Sequence, residues 1–371
     1  MDVGIVTPRY PPNTRGGGEI SVQLLAEQLL SRTDHSVQVH SFDGNSSNKI
    51  NDVPVTRHRI TPRIPEVASI VSYLKLKQIV HDVDVLHGYN MELHPAIGFL
   101  SDYYDTPSVA HLNAYTYVNK RSIGMSIDGE ERIYNDFVRP VSKPIVRNSI
   151  KRIDRLIALS ETIGEIYSDY LGSGDSISYI TNMIDPDVTP ASVKFDISDP
   201  PRILYIGSLA THKGVQYLVK AINYIDQPID VRIVGDGDQK DYLKDLASGA
   251  GPDSQIQFTG RVPYNEISSH YEWADLFVHP GIWPEPLNRT LLEAMQHGLT
   301  TVVTDRGGPP ETIQDSELIV HPKDPVALAG GIKYGIENRR ITGQIHRSYV
   351  TKTHHPKTVV PQIDSLYQEI S

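Results

Sequence analysis

The chain has 371 residues, of which 39% are hydrophobic and 22% charged. This composition is typical of a soluble globular protein with full-sized cores and excludes disordered and fibrous classes. Its 35 Lys and Arg against 45 Asp and Glu give a net charge of −10, which argues against nucleic acid as the main partner because phosphate neutralisation requires a basic surface. The sequence contains no cysteine, so disulfides, thiolate catalysis and cysteine-based zinc sites are excluded.

No stretch of the sequence has the pattern of a signal peptide, and none approaches the roughly 18 apolar residues that span a bilayer. We therefore expect a cytoplasmic protein, either soluble or peripheral at the inner membrane face.

Short apolar stretches alternate with amphipathic stretches along the chain. Strands are predicted at residues 3–7, 36–42, 55–60, 84–87, 108–111, 155–159 and 177–180, then at 202–206, 231–234, 256–259, 276–279, 301–304 and 318–320. Helices are predicted at residues 19–30, 67–80, 161–171, 215–225, 240–247, 266–273 and 290–297. This alternation predicts an α/β fold with parallel sheets covered by helices on both faces.

A stretch rich in Pro and Asp interrupts the alternation and predicts two domains. We expect an N-terminal domain at residues 1–182, a linker at 183–200 and a C-terminal domain at 201–354. The helical spacing of apolar residues near the end predicts a terminal helix within 355–371 that docks onto the N-terminal domain. Two doubly wound domains would bind a ligand in a cleft where the carboxyl ends of their strands face each other.

A glycine-rich loop, Gly16-Gly17-Gly18-Glu19, follows the first predicted strand and opens a helix. Glycines at a helix N-terminus let the backbone approach an anion. About eight residues separate them from the strand, whereas a nicotinamide-dinucleotide site has its glycines in the tight turn directly after it. The alternative is a flexible loop without a ligand.

The second motif is Gly207-Ser208 followed by Lys213-Gly214, again between a strand and a helix. A lysine at this place is suited to a diphosphate. The spacing is not that of a P-loop, so nucleotide hydrolysis is not implied. The alternative is a solvated lysine.

The third motif places Glu285 before a predicted helix and Glu293 two turns inside it, on about the same face. Such carboxylates can accept hydrogen bonds from two sets of sugar hydroxyls, and free backbone N–H groups at 287–289 could hold phosphate oxygens. In the alternative interpretation, Glu285 complements the helix dipole and Glu293 is solvated.

Together with Val234-Gly-Asp-Gly, Phe258-Thr-Gly-Arg-Val-Pro and Gly307-Gly308…Glu311, these motifs occur in an order that resembles glycosyltransferase family 4. The resemblance covers most of the chain and is strongest over residues 202–320. It implies a GT-B fold, with two Rossmann-like doubly wound domains facing across a cleft, and a retaining transferase that uses a nucleotide-diphosphate sugar.

The resemblance also implies a role for each matching position. The catalytic set would be His111, which sits beside the transferred sugar, Glu285, which holds its hydroxyls, and Lys213, which neutralises the diphosphate. Val262 would lie against the nucleobase and Glu293 would hold the ribose. The full donor-binding set is Gly16, Gly17, Ser208, Lys213, Arg261, Val262, Glu285, Leu287, Asn288, Arg289 and Glu293.

Three positions depart from the family pattern. Ser208 stands where many members carry Arg, and Arg261 or Arg289 could supply the missing charge. Pro286-Leu287-Asn288 replaces the common Ser/Gly-Phe-Gly, which predicts a sugar pocket of different shape. Leu112-Asn113 follows His111 where His-Asp is frequent.

Three Asp-x-Asp pairs, beginning at Asp82, Asp185 and Asp236, lie in turns, and we expect none of them to bind a metal. No metal and no cofactor is therefore predicted; the nucleotide-diphosphate sugar is a co-substrate.

The segment 139–155 is locally basic, with six cations at Arg139, Lys143, Arg147, Lys151, Arg152 and Arg155. Because Pro140 and Pro144 oppose one continuous helix, a helix is predicted to begin near Pro144. A basic, partly apolar face suits anionic lipid headgroups or a lipid-diphosphate acceptor. The alternative is a solvated face that packs inward through its isoleucines.

The sequence thus predicts a metal-independent, retaining hexosyltransferase of the EC 2.4 type. It would move a hexose from a UDP- or GDP-sugar to a hydroxyl acceptor, a lipid-linked or polysaccharide glycan. The alternatives are a GT-B nucleotide-sugar epimerase and a non-catalytic nucleotide-sugar-binding subunit.

Overall fold

The computed structural model describes residues 1–13, 16–59, 64–125, 132–188, 196–249 and 254–371. The chain divides into two compact units. The N-terminal unit contains Met1–Ile123, residues 132–183 and Pro356–Ser371. The C-terminal unit contains Gly124, Met125 and the described residues of Ile184–His355.

The N-terminal unit is built on an eight-stranded sheet in the order β3-β4-β2-β1-β5-β6-β7-β8. Its strands are β1 (Asp2–Thr7), β2 (Ser36–Ser41), β3 (Ser46–Ile50), β4 (Val53–Arg57), β5 (Val85–Gly88), β6 (Ser108–Leu112), β7 (Arg155–Ala158) and β8 (Ile177–Tyr179). All neighbours pair in parallel except β3 with β4. The chain leaves β1 in one direction and returns to its other side at β5, so the carboxyl ends of β1 and β5 form a topological switch point.

Helices cover this sheet and bury its apolar strands. They are α1 (Gly17–Arg32), α2 (Pro65–Ile79), α3 (His94–Tyr104), α4 (Arg139–Ile150) and α5 (Glu161–Leu171). The last helix of the chain, Pro356–Ile370, also belongs to this unit: Val359, Ile363 and Tyr367 are buried in one core with Leu25 and Leu29 of α1.

The C-terminal unit has a six-stranded, fully parallel sheet in the order β11-β10-β9-β12-β13-β14. Its strands are β9 (Arg202–Ile206), β10 (Asp230–Val234), β11 (Gln255–Gly260), β12 (Leu276–His279), β13 (Thr300–Thr304) and β14 (Ile319–Val320). Its helices are α6 (Val215–Ala221), α7 (Lys240–Ala247), α8 (Ser268–Trp273), α9 (Arg289–Gln296), α10 (Pro325–Glu337) and α11 (Arg339–Thr353). The last helix of the chain, which belongs to the N-terminal unit, is α12 (Pro356–Ile370). The switch point lies between β9 and β12, where the loops that carry the second and third motifs emerge.

The predicted architecture of parallel sheets with helices is confirmed, and the predicted helices and strands recur with shifts of a few residues at their ends. The predicted helix start near Pro144 is wrong, because α4 runs from Arg139 with Pro140 in its first turn and Pro144 inside it. Pro144 removes only one backbone hydrogen bond, while Val146 and Ile150 are 5% and 0% exposed and hold the helix against the core.

None of the helices in the described ranges is both long enough and apolar enough to cross a membrane.

Candidate active site

Two loops meet at the switch point of the C-terminal sheet. After β9, the chain passes Gly207 and Ser208 and makes a single 3-10 turn, Thr211–Lys213, before α6. Gly214 has φ +73°, and a Cβ at this position would overlap the carbonyl oxygen of Pro280 in the loop after β12. Only glycine allows both features, and the close approach brings Lys213 against the second loop.

Lys213 and Glu285 form a mostly buried ion pair. The Lys213 Nζ lies 2.5 Å from Glu285 Oε2, and the two side chains are 16% and 14% exposed. The indole N–H of Trp283 donates to the same Oε2 at 2.9 Å, and the Lys213 ammonium lies 5.2 Å from the centre of the Trp283 ring. Burial opposes ionisation of Glu285, but the charge and hydrogen bond of Lys213, together with His279 and His212, outweigh it and hold the pKa of Glu285 below its ordinary value.

A glycine pair fixes the backbone of Glu285. Gly307 has φ +73°, and a Cβ there would overlap the backbone of Glu285. Gly308 donates its N–H to the Glu285 carbonyl oxygen at 2.8 Å. The Gly-Gly motif after β13 therefore acts as a backbone support for the carboxylate.

Asn288 caps α9 and links it to the end of β12. Its Oδ1 accepts the N–H of Leu291 at 3.1 Å and the hydroxyl of Thr290 at 2.6 Å. Its Nδ2 therefore faces His279 Nδ1, at 2.8 Å, as a donor. This arrangement assigns the His279 proton to Nε2, and burial lowers the pKa of His279 to about 4, so the imidazole is neutral.

Glu293 is 6% exposed and both of its oxygens are engaged. Oε1 accepts the hydroxyl of Tyr264 at 3.0 Å and lies 2.9 Å from Arg289 Nε, while Oε2 accepts the hydroxyl of Tyr271 at 2.8 Å. Arg289 also donates to the Tyr264 hydroxyl at 3.2 Å. Arg289 thus lies beside the second carboxylate, as its partner.

The other predicted donor positions also lie in the C-terminal unit. The Ser208 carbonyl accepts the hydroxyl of the buried Tyr205 at 2.9 Å, while the residue itself is exposed. Leu287 is 8% exposed and packs inside. Arg261 is exposed and Val262 half-buried, after the end of β11.

The N-terminal unit holds the remaining predicted residues. Gly16 donates its N–H to the Glu19 carboxylate at 3.0 Å, which closes the first turn of α1, and Gly17 begins that helix. His111 near the carboxyl end of β6 is 3% exposed, and its ring stacks on His87 with centres 4.9 Å apart. Burial, with His87 and His94 nearby, holds the pKa of His111 well below its ordinary value. Neither of its ring nitrogens has a hydrogen-bond partner among the described residues.

Sequence reasoning missed a polar cluster at the N-terminal switch point. The Asn90 amide donates to the Thr7 hydroxyl at 3.1 Å and accepts from the Asn113 amide at 3.0 Å. These residues end three neighbouring strands, and a Cβ on Gly18 would lie 3.1 Å from Asn90 Oδ1. Their order along the sheet was the missing information. Tyr264, Tyr271, His279 and Trp283 were missed in the same way.

No group of three or more His, Asp and Glu side chains in the described part of the chain is arranged to hold a metal ion. Of the three Asp-x-Asp pairs, Asp236 pairs with Lys240, Asp185 accepts the N–H of Asp187, and Asp84 accepts the N–H of Asp2. Metal independence remains a prediction.

Solved structures share this architecture over the whole chain. HepE of Anabaena, in complex with UDP and glucose, has a TM-score of 0.76 at 19% identity, with both chains fully covered. Sucrose-phosphate synthase of Thermosynechococcus elongatus has a TM-score of 0.77 at 18% identity and covers 100% of this chain and 98% of its own. Two Rossmann-like units of this kind are the GT-B fold.

Family models and curated relatives specify the class further. The model described as Glycosyltransferase Family 4 matches residues 15–188, and the model described as Glycosyl transferases group 1 matches residues 190–352. An uncharacterized glycosyltransferase of Methanocaldococcus jannaschii is 28% identical over 356 residues, 90% of this chain and 88% of that protein. A GDP-mannose-dependent phosphatidylinositol monomannoside mannosyltransferase of Mycobacterium tuberculosis is 23% identical over 336 residues, with 84% and 83% covered. The chain therefore belongs to glycosyltransferase family 4 and is a transferase enzyme.

Proposed function

We propose that the protein is a retaining hexosyltransferase that moves a hexose from a UDP- or GDP-sugar to a hydroxyl acceptor. The observation that carries this proposal is the buried group Lys213, Glu285 and Trp283 at the C-terminal switch point. It combines one cation suited to a diphosphate with a carboxylate that can orient a sugar hydroxyl.

Each charged residue has a proposed task. Lys213 stabilises the negative charge that develops on the diphosphate as the bond to the anomeric carbon breaks. Glu285 keeps its Oε2 on Lys213 and Trp283 and offers Oε1 to a hexose hydroxyl. Glu293 receives the ribose hydroxyls, and Arg261 and Val262 border the nucleobase. Backbone N–H groups at the start of α9 meet phosphate oxygens.

His111 is proposed to face the transferred sugar from the N-terminal unit, with Gly16 and Gly17 bordering the diphosphate. Its orphaned, uncharged imidazole supports this role, because a neutral ring can exchange hydrogen bonds with a hydroxyl without an uncompensated buried charge. Retention of configuration rests on the family resemblance.

The acceptor is proposed to be a lipid-linked or polysaccharide glycan. The mannosyltransferase relative is named for a phosphatidylinositol mannoside acceptor, which supports the lipid alternative. We expect a cytoplasmic protein that meets the inner face of the membrane near residues 139–155.

The six cations of residues 139–155 do not form one free basic face. Arg139 is 7% exposed and donates to the Thr116 carbonyl, and Arg147 donates twice to the Leu171 carbonyl. Arg152 pairs with Asp102, and Arg155 lies 3.8 Å from Glu369. A membrane contact at this segment therefore needs more than charge.

The donor is tested with a panel of nucleoside-diphosphate sugars. We expect one UDP- or GDP-sugar to raise the melting temperature of the protein. We also expect transfer of that sugar to an acceptor, with NMR showing that the product keeps the anomeric configuration of the donor. Exchange at a ring carbon without transfer would instead indicate an epimerase.

Lys213→Ala tests the site itself. It should weaken binding of the corresponding nucleoside diphosphate roughly ten- to hundredfold, because one charge-assisted contact is lost. Lys333→Ala, which removes an exposed ion pair with Asp226 in the same unit, is the matched control and should bind normally. Equal affinity of the Lys213 variant and the wild type would place the diphosphate elsewhere.

Metal independence is tested with excess chelator. We expect full transfer activity, since Lys213 and backbone N–H groups would take the place of a divalent cation. Loss of activity that Mg²⁺ or Mn²⁺ restores would contradict this part of the proposal.

A further inference from the structure

Helix α2 exposes an apolar stripe on its outer side. Val67, Ile70, Val71 and Leu74 are 39%, 72%, 54% and 69% exposed, and their spacing of three and four residues places them on one helix face. The opposite face, with Ala68, Leu76 and Ile79, is buried. The helix is therefore apolar on both sides, and packing within this unit accounts for only one of them.

A second exposed stripe runs along the π-helical turn Tyr134–Val138 and α4. Phe137, Val141 and Ile145 are 73%, 76% and 71% exposed and follow one another at intervals of four residues. Val146 and Ile150 face inward. This stripe overlaps residues 139–155, the segment that the sequence analysis singled out for its six cations. The exposed residues of the stripe are apolar.

Contacts between the helices join the two stripes. The carboxylate of Glu66, beside Val67, accepts hydrogen bonds from the hydroxyls of Tyr134 and Ser142 at 2.6 and 2.8 Å. Helix α3 packs between α2 and α4, and its Phe99 ring lies 5.9 Å from Tyr73 of α2. We call the exposed residues Val67, Ile70, Val71, Leu74, Phe137, Val141 and Ile145 the α2–α4 face.

In the described helices of this face, the charged side chains that lack a partner of opposite charge are positive. The acidic side chains of α2, α3 and residues 132–150 are Glu66, Asp102 and Asp136. Glu66 is engaged as described, while Asp102 and Asp136 pair with Arg152 and Arg121. Three exposed lysines of α2 and of the residue after α4 have no acidic partner among the described residues: Lys75, Lys77 and Lys151. Lys143 is also exposed, but it lies on another side of α4, where its Nζ is 5.7 Å from the centre of the Tyr170 ring.

We propose that the α2–α4 face docks onto an anionic lipid bilayer, with its apolar stripes in the interfacial region and its lysines at the headgroups. Lysine-flanked apolar helix faces bind in this way. The chain has a net charge of −10, yet it places lysines without an acidic partner beside these exposed apolar residues, which makes this face complementary to anionic lipid. A second copy fits less well, because a two-fold contact would place these lysines against one another.

This inference deepens the proposed function, since a protein held at the bilayer surface would meet a lipid-linked acceptor there. It does not depend on which nucleotide sugar is the donor.

The test is co-sedimentation of the full chain with vesicles. Vesicles of equal parts phosphatidylglycerol and phosphatidylcholine should bind the protein, phosphatidylcholine alone should bind it less, and added salt should weaken the binding. Ile70→Gln with Leu74→Gln, and separately Val141→Gln with Ile145→Gln, should each lower the partition coefficient by at least about tenfold. The matched control is Ile341→Gln with Ile345→Gln on α11, which removes two comparably exposed isoleucines (62% and 43%) from the C-terminal unit and should bind like the wild type.

Absence of binding to anionic vesicles, or equal loss in the control, would overturn the proposal. A concentration-dependent dimer in light scattering that the face variants abolish, without vesicle binding, would assign the face to a second copy and also overturn it. All variants should keep the thermal shift with the donor, which shows that they fold. If no nucleotide sugar of the panel binds but the protein still binds anionic vesicles, the proposed transferase activity is refuted and the membrane proposal stands.

Discussion

The Glu285 carboxylate is asymmetric, because Lys213 and the Trp283 indole both bind its Oε2. None of the described residues donates a hydrogen bond to the other oxygen, Oε1. A sugar hydroxyl can therefore approach one oxygen, and Trp283 determines which way the carboxylate plane is turned. Trp283 thus acts through Glu285 as a positioning residue.

Trp283→Phe should separate this role from most of the packing, since a smaller aromatic ring remains while the N–H is lost. One charge-assisted hydrogen bond is worth about 1.5–3 kcal/mol, so we expect kcat/KM for transfer to fall roughly ten- to hundredfold, with unchanged affinity for the free nucleoside diphosphate. Trp273→Phe changes the other tryptophan, which stacks on Arg232 of β10, and should leave transfer unaltered. Equal losses in nucleotide affinity and in transfer would show that Trp283 supports the whole loop.

Tyr264 occupies one oxygen of Glu293, the carboxylate that we propose for the ribose hydroxyls. In the structure its hydroxyl donates to Oε1 at 3.0 Å, and burial, followed by the charge of Glu293, raises its pKa. If ribose hydroxyls take over Oε1, the tyrosine has to release it on donor binding.

Tyr264→Phe removes this competitor. We predict that calorimetry shows nucleoside-diphosphate binding tightened about two- to tenfold, while the free protein loses about 1 kcal/mol of unfolding free energy with its hydrogen bond. Weaker nucleotide binding in the variant would mean that the Tyr264 hydroxyl contacts the nucleotide and is not its competitor.

The sequence predicted residues whose tasks follow from a motif, and it missed those defined by tertiary contact. Lys213, Glu285 and Glu293 could be predicted because their order along the chain carries the information. Tyr264 and Trp283 contribute through single atoms aimed at a carboxylate, which no local pattern encodes. Arg289 illustrates the same limit: its proximity to Glu293 at (i, i+4) was available, but the sequence left open which anion it serves.

At the level of single elements, α9 depends on one side chain for two connections. Asn288 caps the helix and supplies the partner of the buried His279 ring. Most helix caps satisfy only backbone groups, so Asn288 joins helix stability to the position of the β12 end.

Asn288→Gly should reveal the second connection. Replacing an N-cap residue by Gly costs only a few tenths of a kcal/mol, whereas an orphaned buried imidazole adds about 1–3 kcal/mol. Asp324→Gly is the matched control, because Asp324 caps α10 through Val326 and Ala327 alone. Urea unfolding should therefore show a markedly larger loss for Asn288→Gly than for Asp324→Gly. Similar losses would mean that His279 needs no partner.

The elements that the sequence missed have a physical explanation. Helix α10 contains Gly330-Gly331 and Gly335, which lower helix propensity. A Cβ on Gly331 would lie 2.8 Å from Val320, and one on Gly335 would lie 2.9 Å from Leu276. The helix packs too closely against the sheet for side chains there, so tertiary contact overrides propensity. Asn338 then ends α10 and begins α11 without a turn signal.

For the whole molecule, buried histidines set the response to acid. Burial lowers the pKa of His40 to about 4 and of His87 and His94 to about 3, and it holds the pKa of His111 well below its ordinary value, all in the N-terminal unit. In the C-terminal unit, burial lowers the pKa of His279 and His346 to about 4. Burial also lowers the pKa of His58 in the N-terminal unit and of His270 and His297 in the C-terminal unit, by smaller amounts. In the unfolded chain these rings have a pKa near 6.5. Below that pH the unfolded chain therefore binds protons that the folded units do not bind.

The contribution of these rings to the free energy of unfolding is therefore fully present above about pH 6.5. It falls as the pH drops towards 4, by up to about 1.4 kcal/mol per pH unit for each buried ring. The four rings with the largest pKa shifts in the N-terminal unit amount to about 5 kcal/mol at pH 5.5, comparable to the whole stability of a domain. The two rings with the largest shifts in the C-terminal unit amount to about half of that. We expect the N-terminal unit to unfold first on acidification.

The two tryptophans make this order measurable, because Trp273 and Trp283 both lie in the C-terminal unit. Far-UV circular dichroism should lose signal near pH 5.5 while tryptophan emission stays native, and the emission should change only at lower pH. His40→Gln removes one buried ring and should shift the first transition to lower pH, whereas His321→Gln, whose side chain is 82% exposed, should not. A single transition at the same pH in both signals would contradict the prediction that the N-terminal unit unfolds first. The four buried rings would then not determine the pH at which that unit unfolds.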